Sequence, residues 1–101
     1  LGLVVGEKLW RLGREHQVLC VTHLPQLAAF GDHHFRVEKH LTHDARTTTR
    51  VHRVAGESRT NELAEMMGGV REVNREAAVD LVSLAQRRQA ALAAGRGLER
   101  A

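Results

Sequence analysis

Hydrophobic positions recur along this chain with two different periods, and the changes of period divide it into short segments. Val5, Leu9 and Leu12 stand at i, i+4 and i+7, with Glu7, Lys8, Arg11, Arg14 and Glu15 mostly elsewhere, so the spacing predicts a helix over 3–15. Gly13 weakens its end. The run Gln17-Val18-Leu19-Cys20-Val21-Thr22 is almost wholly apolar, rich in β-branched residues and bounded by polar ones. It predicts a strand over 17–22 buried on both faces, as in a parallel sheet. A helix leading closely into such a strand is half of a βαβ unit and points to the α/β class.

Beyond His23, Leu24-Pro25-Gln26-Leu27-Ala28-Ala29-Phe30 reads as a short helix. Pro25 fits its first turn, where a missing N–H costs nothing, and Gly31 stops it. Residues 33–41 and 47–54 read as a β-hairpin around the turn His43-Asp44-Ala45-Arg46. Phe35, Val37 and Leu41 alternate on the first strand, which assigns His34, Arg36 and Glu38 to the solvent side. Thr47, Thr48, Thr49 and Val51 favour the second strand. Ser58 can cap a helix reaching Met67 and ending at Gly68-Gly69, with Leu63, Met66 and Met67 as its buried face. A last helix over 71–94 carries the stripe Val73, Ala77, Leu81, Leu84 and Arg88, with Val70 just before it, and leaves 95–101 as a frayed tail. No internal repeat or low-complexity segment interrupts the pattern.

Length makes this one domain and a modest core: 101 residues, 43% hydrophobic and 27% charged. Trp10, Phe30 and Phe35 are the only aromatics, so Leu, Val and Ala must build the interior. The formal net charge of +3 comes mainly from arginine and allows phosphate or nucleic acid as partners, but no arginine–aromatic interleaving suggests a base-stacking surface. The single cysteine, Cys20, cannot make an internal disulfide and reads as a small buried hydrophobe, which fits a reducing, cytoplasmic setting. No run of about 18 apolar residues suggests a membrane span, and the N-terminus lacks the charged-then-apolar order of a signal peptide. The chain starts at Leu1, not Met, and inside a helical pattern, which reads as part of a larger domain.

His23 is the residue with chemical promise. Ligands of open α/β sheets bind outside the carboxyl ends of the strands, where His23 would stand. An imidazole there can donate to a γ-phosphate oxygen and help align the attacking water; it can equally be a histidine that merely ends the sheet. The other histidines make a weak metal set. His33 and His34 are adjacent and point to opposite faces of a strand, and His34, His40 and His52 converge only in a suitable hairpin register. No metal site is expected. Glu62 and Glu65 share a helical face and read as solvated charges, and Ser58 and Ser83 lack the strand–turn setting of a hydrolase nucleophile. Arg87, Arg88, Arg96 and Arg100 make the C-terminus basic, which suits a helix dipole and could also meet DNA phosphate.

Several motifs together resemble the RecN family: Gly6-Glu7-Lys8-Leu9-Trp10-Arg11-Leu12, His16 through Phe30, Asp32-His33-His34-Phe35, Thr47-Thr48-Thr49-Arg50-Val51, and Arg59 through Gly69. The resemblance runs from Gly6 to about Gln86, and Val21-Thr22-His23-Leu24-Pro25-Gln26-Leu27-Ala28 is its most specific part. It implies an SMC-like protein with an ABC-type P-loop ATPase head split by a coiled coil, acting in recombinational repair of DNA double-strand breaks. It implies heads that dimerise around ATP and Mg2+, DNA as a partner, a cytoplasmic and nucleoid-associated location, and His23 as the switch histidine that senses the γ-phosphate. The fold class it implies is the C-terminal portion of such a head, a single partial domain over 1–101 with a buried strand, a hairpin and C-terminal helices.

The departures limit the claim. No Gly-x-x-x-x-Gly-Lys-Ser/Thr loop, signature loop or apolar strand ending in Asp-Glu occurs; the resemblance places the family's D-loop just before Leu1, where it is missing or altered, and Leu1–Val5 matches the family poorly. In the intact protein the missing N-terminal part of the head would supply them. No cofactor is expected on this chain alone. The competing expectation is a stand-alone basic α/β module that binds nucleic acid or a protein without catalysis.

Overall fold

The computed structural model describes residues 1–100, and the side chains of residues 1–95. Its elements run α1 (Gly2–Leu12), α2 (Pro25–Ala28), β1 (His34–Leu41), β2 (Thr47–Val54), α3 (Gly56–Met66) and α4 (Glu72–Arg100). The class is mixed helix and strand, and the one sheet among the described residues is the antiparallel β1–β2 hairpin. The expected helices and both hairpin strands are present, with small shifts of boundary.

The expected strand over 17–22 does not form. Those residues are neither helix nor strand, and none makes a backbone–backbone hydrogen bond within the described chain. Leu19 is 91% exposed and Val21 95%, and Cys20 is exposed where burial was expected. The reason is a missing neighbour. A strand exists only by pairing, and the one sheet among the described residues contains β1 and β2 alone, with 17–22 paired to neither.

The hairpin also faces the other way from its expected orientation. Register pairs Phe35 with Arg53, Val37 with Val51 and Leu41 with Thr47, so these share one face, and Phe35, Val37, Leu41 and Val51 are all exposed. His34 and Glu38, expected in solvent, are partly buried. Alternation gave two faces correctly, but attraction to α3 decided which one turns inward: Arg36 Nε stands 3.2 Å from Glu62 Oε2.

Four helices gather a core of Ala29, Phe30, Leu63, Ala64, Ala78 and Ala85, edged by Leu3, Trp10, Met66, Met67, Leu81 and Val82. Of the expected face of α3, Leu63 is fully buried while Met66 and Met67 lie at the margin. On α4 the buried stripe is Ala78, Leu81, Val82 and Ala85; of the expected Val73, Ala77, Leu81, Leu84 and Arg88, Leu81 packs against the core, while Val73, Ala77 and Arg88 are exposed. Two alanines seven apart give α3 a low surface to approach, which larger side chains at those positions would prevent. α4 also continues beyond its expected end near 94 to Arg100, and the frayed tail expected over 95–101 falls mostly on positions outside the described side chains. Ser58 acts at the third position of α3, not at its cap, accepting the Ala55 N–H at 3.0 Å.

The surface is large for the mass. A compact protein of 11.2 kDa exposes about 5,700 Å² by the usual scaling, and this chain exposes 7397 Å². Its Cα radius of gyration is 15.8 Å, against roughly 13 Å for a compact chain of this length. The exposed 17–22 run and the hairpin, whose residues are mostly exposed, contribute to that surface.

α1 reaches the core through Gly6. A Cβ there would sit 2.6 Å from Cδ2 of Phe30, whose ring is 3% exposed and has no room to withdraw. Gly6→Ala is therefore expected to destabilise the chain by about 1–2 kcal/mol, overpacking outweighing the gain of roughly 1 kcal/mol in helix propensity. Urea unfolding followed by Trp10 fluorescence checks the sign.

Candidate functional site

His23 stands between two kinds of backbone. Upstream is the unpaired run 17–22. Downstream is α2, a helix of four residues, too short to hold itself together. Its N-terminus is set by a local turn in which Thr22 Oγ1 accepts the Leu24 N–H at 3.0 Å, followed by Pro25 at the first helical position. Its C-terminal carbonyls, which a helix end always leaves unpaired, are taken by side chains from two other helices. Arg59 Nη2 of α3 reaches the oxygens of Ala28 at 3.3 Å, Ala29 at 2.9 Å and Gly31 at 3.1 Å. Gln89 Nε2 of α4 donates to the oxygen of Phe30 at 3.2 Å.

A second tie joins α1 to the same stretch. Trp10 Nε1 donates to Asp32 Oδ1 at 3.3 Å, and Arg14 pairs with the other carboxylate oxygen while its guanidinium lies 4.2 Å from the Trp10 ring centre. The segment from Leu24 to Asp32 is thus fastened on three sides. His23, at its edge, is exposed and makes no hydrogen bond within the described chain. Gln26 is exposed on α2 beside Gly2 and borders an open groove along α4 formed with Met67, Leu81, Leu84 and Arg87. The structure brings no second expected site residue to His23.

Arg59 and Gln89 were not legible as functional residues. Arg59 adjoins the expected helix cap Ser58 and reads as one more surface cation, and Gln89 lies beside the expected stripe of α4. Only the fold makes their carbonyl contacts visible.

The hairpin gathers the remaining titratable groups. His33 and His34 do point apart, His33 Nδ1 accepting from Arg53 Nη2 at 2.8 Å and His34 lying against Arg59. Glu38 Oε2 is 2.9 Å from His40 Nε2 and 3.5 Å from His52 Nε2, with Arg36 Nη2 2.8 Å from its other oxygen. These neighbours, the His40 hydrogen bond foremost, hold the Glu38 carboxyl below the usual carboxylate range. Burial pushes Glu62 above it against the opposing pull of Arg36, and Arg36 Nε is near Glu62 Oε2 without the alignment of a hydrogen bond. Among the described residues no group of three or more His, Cys, Asp or Glu is placed to hold a metal ion.

His34 gives the fold a pH dependence. Its ring is half-buried with Nδ1 unpaired; burial first, then the Arg59 charge, lowers its pKa below 6.5. The folded chain keeps it neutral at pH values where the unfolded chain takes up a proton, so its contribution is complete above about pH 6.5 and is lost as pH falls below that. The urea midpoint is expected to drop between pH 7.5 and 5.5, and His34→Gln to lessen the drop. The Glu38 contribution lies lower, fading as pH falls below the carboxylate range. An equal slope in both proteins would remove His34 from the account.

No protein-family profile matches the chain. Curated relatives do. A DNA repair protein RecN of Xylella fastidiosa is 47% identical over 74 residues, covering 73% of this chain and 13% of the relative. The RecN of Deinococcus radiodurans is 45% identical over 67 residues, covering 66% and 12%. That of Bacillus subtilis is 42% identical over 66 residues, covering 65% and 11%. The chain thus spans about an eighth of the length of the curated relatives it matches. Agreement at this level over some two thirds of the chain, in relatives from several distinct bacteria, is enough to say that over the matched stretch the chain belongs to the RecN family, as a C-terminal part of it.

Proposed function

We propose that this chain is the switch-histidine end of a RecN-like, SMC-like ABC-type ATPase head, serving recombinational repair of DNA double-strand breaks in the intact protein. The observation that carries this reading is the RecN-like run ending in His23: largely apolar, unpaired, and with Leu19 and Val21 almost fully exposed, it has the composition of a central strand with no neighbours of its own. The remaining part of the head would pair with it and bring the phosphate-binding loop, the magnesium-binding acid and the signature loop. A second head, ATP with Mg2+, and DNA would be the partners of that assembly, in the cytoplasm and on the nucleoid. No helix among the described residues is long and apolar enough to cross a membrane.

The residues present form one donor of an ATP site and no cradle. A hydrogen bond to a charged group contributes about 1.5–3 kcal/mol, whereas millimolar to micromolar affinity requires about 4–8 kcal/mol. The isolated chain is therefore expected to bind ATP too weakly for calorimetric titration, and a protein joining it to the rest of the head to bind and hydrolyse ATP. Micromolar binding by the isolated chain, or none by the joined protein, overturns the reading.

The competing reading, a stand-alone basic module for nucleic acid or a protein, draws on the exposed hairpin face where Lys39 and Arg53 flank Phe35, Val37 and Val51. Duplex DNA binding by the isolated chain that weakens steeply with salt would favour it.

A further inference from the structure

We propose that Arg59 and Gln89 are positioning residues for His23, aligning it from its downstream side through α2. The inference rests on the ATPase reading above and adds to it how the sensor is held.

The fastening is one-sided. Upstream of His23 the backbone is unpaired from 17 to 22, so nothing within this chain fixes the histidine from that direction. Downstream, the Thr22–Leu24 turn joins His23 directly to α2, and α2 is held by its last carbonyls. Four consecutive residues, Ala28 to Gly31, have their carbonyl oxygens taken by the two side chains. Three of those oxygens share one guanidinium nitrogen, which places that nitrogen within a narrow zone. Arg59 Nε is buried without a partner, so the carbonyl contacts, not the arginine's own satisfaction, dictate its position. With Nη2 committed to backbone and the group half-buried beside Ala29 and Phe30, Arg59 is poorly placed to meet a phosphate itself. Its effect on chemistry must pass through α2. Because one nitrogen makes all three contacts, a lysine ammonium with its three donors can take up some of the same carbonyl oxygens, whereas a methionine can take up none.

The test uses the joined RecN-like head and a double-mutant cycle. His23→Ala, Arg59→Met, Arg59→Lys, Gln89→Leu and the pair His23→Ala/Arg59→Met are compared for ATP Kd, kcat and thermal melt. Arg59→Met is expected to lower kcat about tenfold with ATP Kd within about threefold of wild type, because displacement of an aligned group costs turnover before it costs binding. In the His23→Ala background the same change is expected to cost almost nothing further, which a merely structural role would not produce. Gln89→Leu gives a smaller loss in the same sense and covers the case in which Arg59→Met melts early; Arg59→Lys, which keeps one nitrogen with several donors, is expected to recover part of the turnover. A slow His23→Ala with a normal Arg59→Met and Gln89→Leu overturns this inference alone. So does an Arg59→Met loss that persists undiminished without His23. A His23→Ala protein that turns over like wild type overturns the switch-histidine reading, and this one with it.

Discussion

Leu63→Ala is expected to leave the isolated chain without a cooperative unfolding transition. Leu63 is the one large side chain that is completely buried among the described residues, and it stands where α3 meets the alanines of α4. Truncating a buried leucine costs about 2–5 kcal/mol, the lost transfer energy plus the cavity left behind. Native domains are stable by about 5–15 kcal/mol, and a core with one large fully buried side chain among the described residues places this chain at about 5 kcal/mol. The two figures are of the same size, so the variant has little or no margin. The neighbours cannot close the gap: Ala64, Ala78 and Ala85 have no length to extend, and Phe30 is already held against Gly6. Met66, Met67 and Leu81 at the margin could swing inward only by exposing what they now cover. Far-UV ellipticity and Trp10 fluorescence against urea measure this; a sigmoidal transition in Leu63→Ala with a midpoint within about 0.5 M of wild type, less than the expected loss divided by the usual slope, would refute the claim.

The same scarcity of core explains what the sequence made legible. Local rules did well where a segment decides its own conformation. Pro25 starts α2, although the helix ends at Ala28 and not at Gly31; the Thr-rich 47–54 run became β2, and Gly68-Gly69, both at positive φ, follow the end of α3. Local rules failed where a partner decides. Val18–Val21 has the composition of a central strand, but a composition cannot supply the neighbouring backbone, and the run stays open. The hairpin's two faces follow from alternation, yet their assignment to inside and outside depended on Glu62 and Arg59, at least 18 residues away from any residue of β1. On α4 the apolar stripe was ambiguous because the helix carries apolar side chains on several faces; the choice fell to Ala78 and Ala85, which matter by being small. The candidate site divides in the same way. His23 was singled out by its place after an apolar run and then by the resemblance, while the side chains that hold its neighbourhood were hidden, since a capping arginine and a surface arginine look alike until the carbonyls they reach are known.

His23→Ala is expected to slow ATP turnover by the joined head about 100-fold while leaving its melting temperature unchanged. Both halves follow from the position of the residue. His23 is exposed and hydrogen-bonded to nothing in the described chain, so its removal leaves no cavity and no unpaired partner. On the reading proposed above, its value lies in a contact made only when nucleotide and the rest of the head are present. A preorganised donor aimed at charge developing in the transition state contributes about 10²–10³ in turnover. If the imidazole bound ground state and transition state equally, the loss would appear in ATP affinity with kcat intact; a switch that tightens as the γ-phosphate leaves puts it in kcat. His23→Gln keeps a donor without the ring's second nitrogen and is expected to recover only part of the rate. Steady-state and single-turnover hydrolysis beside an ATP titration separate these cases. Turnover within about threefold of wild type would remove His23 from the nucleotide, and a lowered melting temperature would make it a structural residue of an assembled sheet, the role its place at the end of an apolar run equally allows.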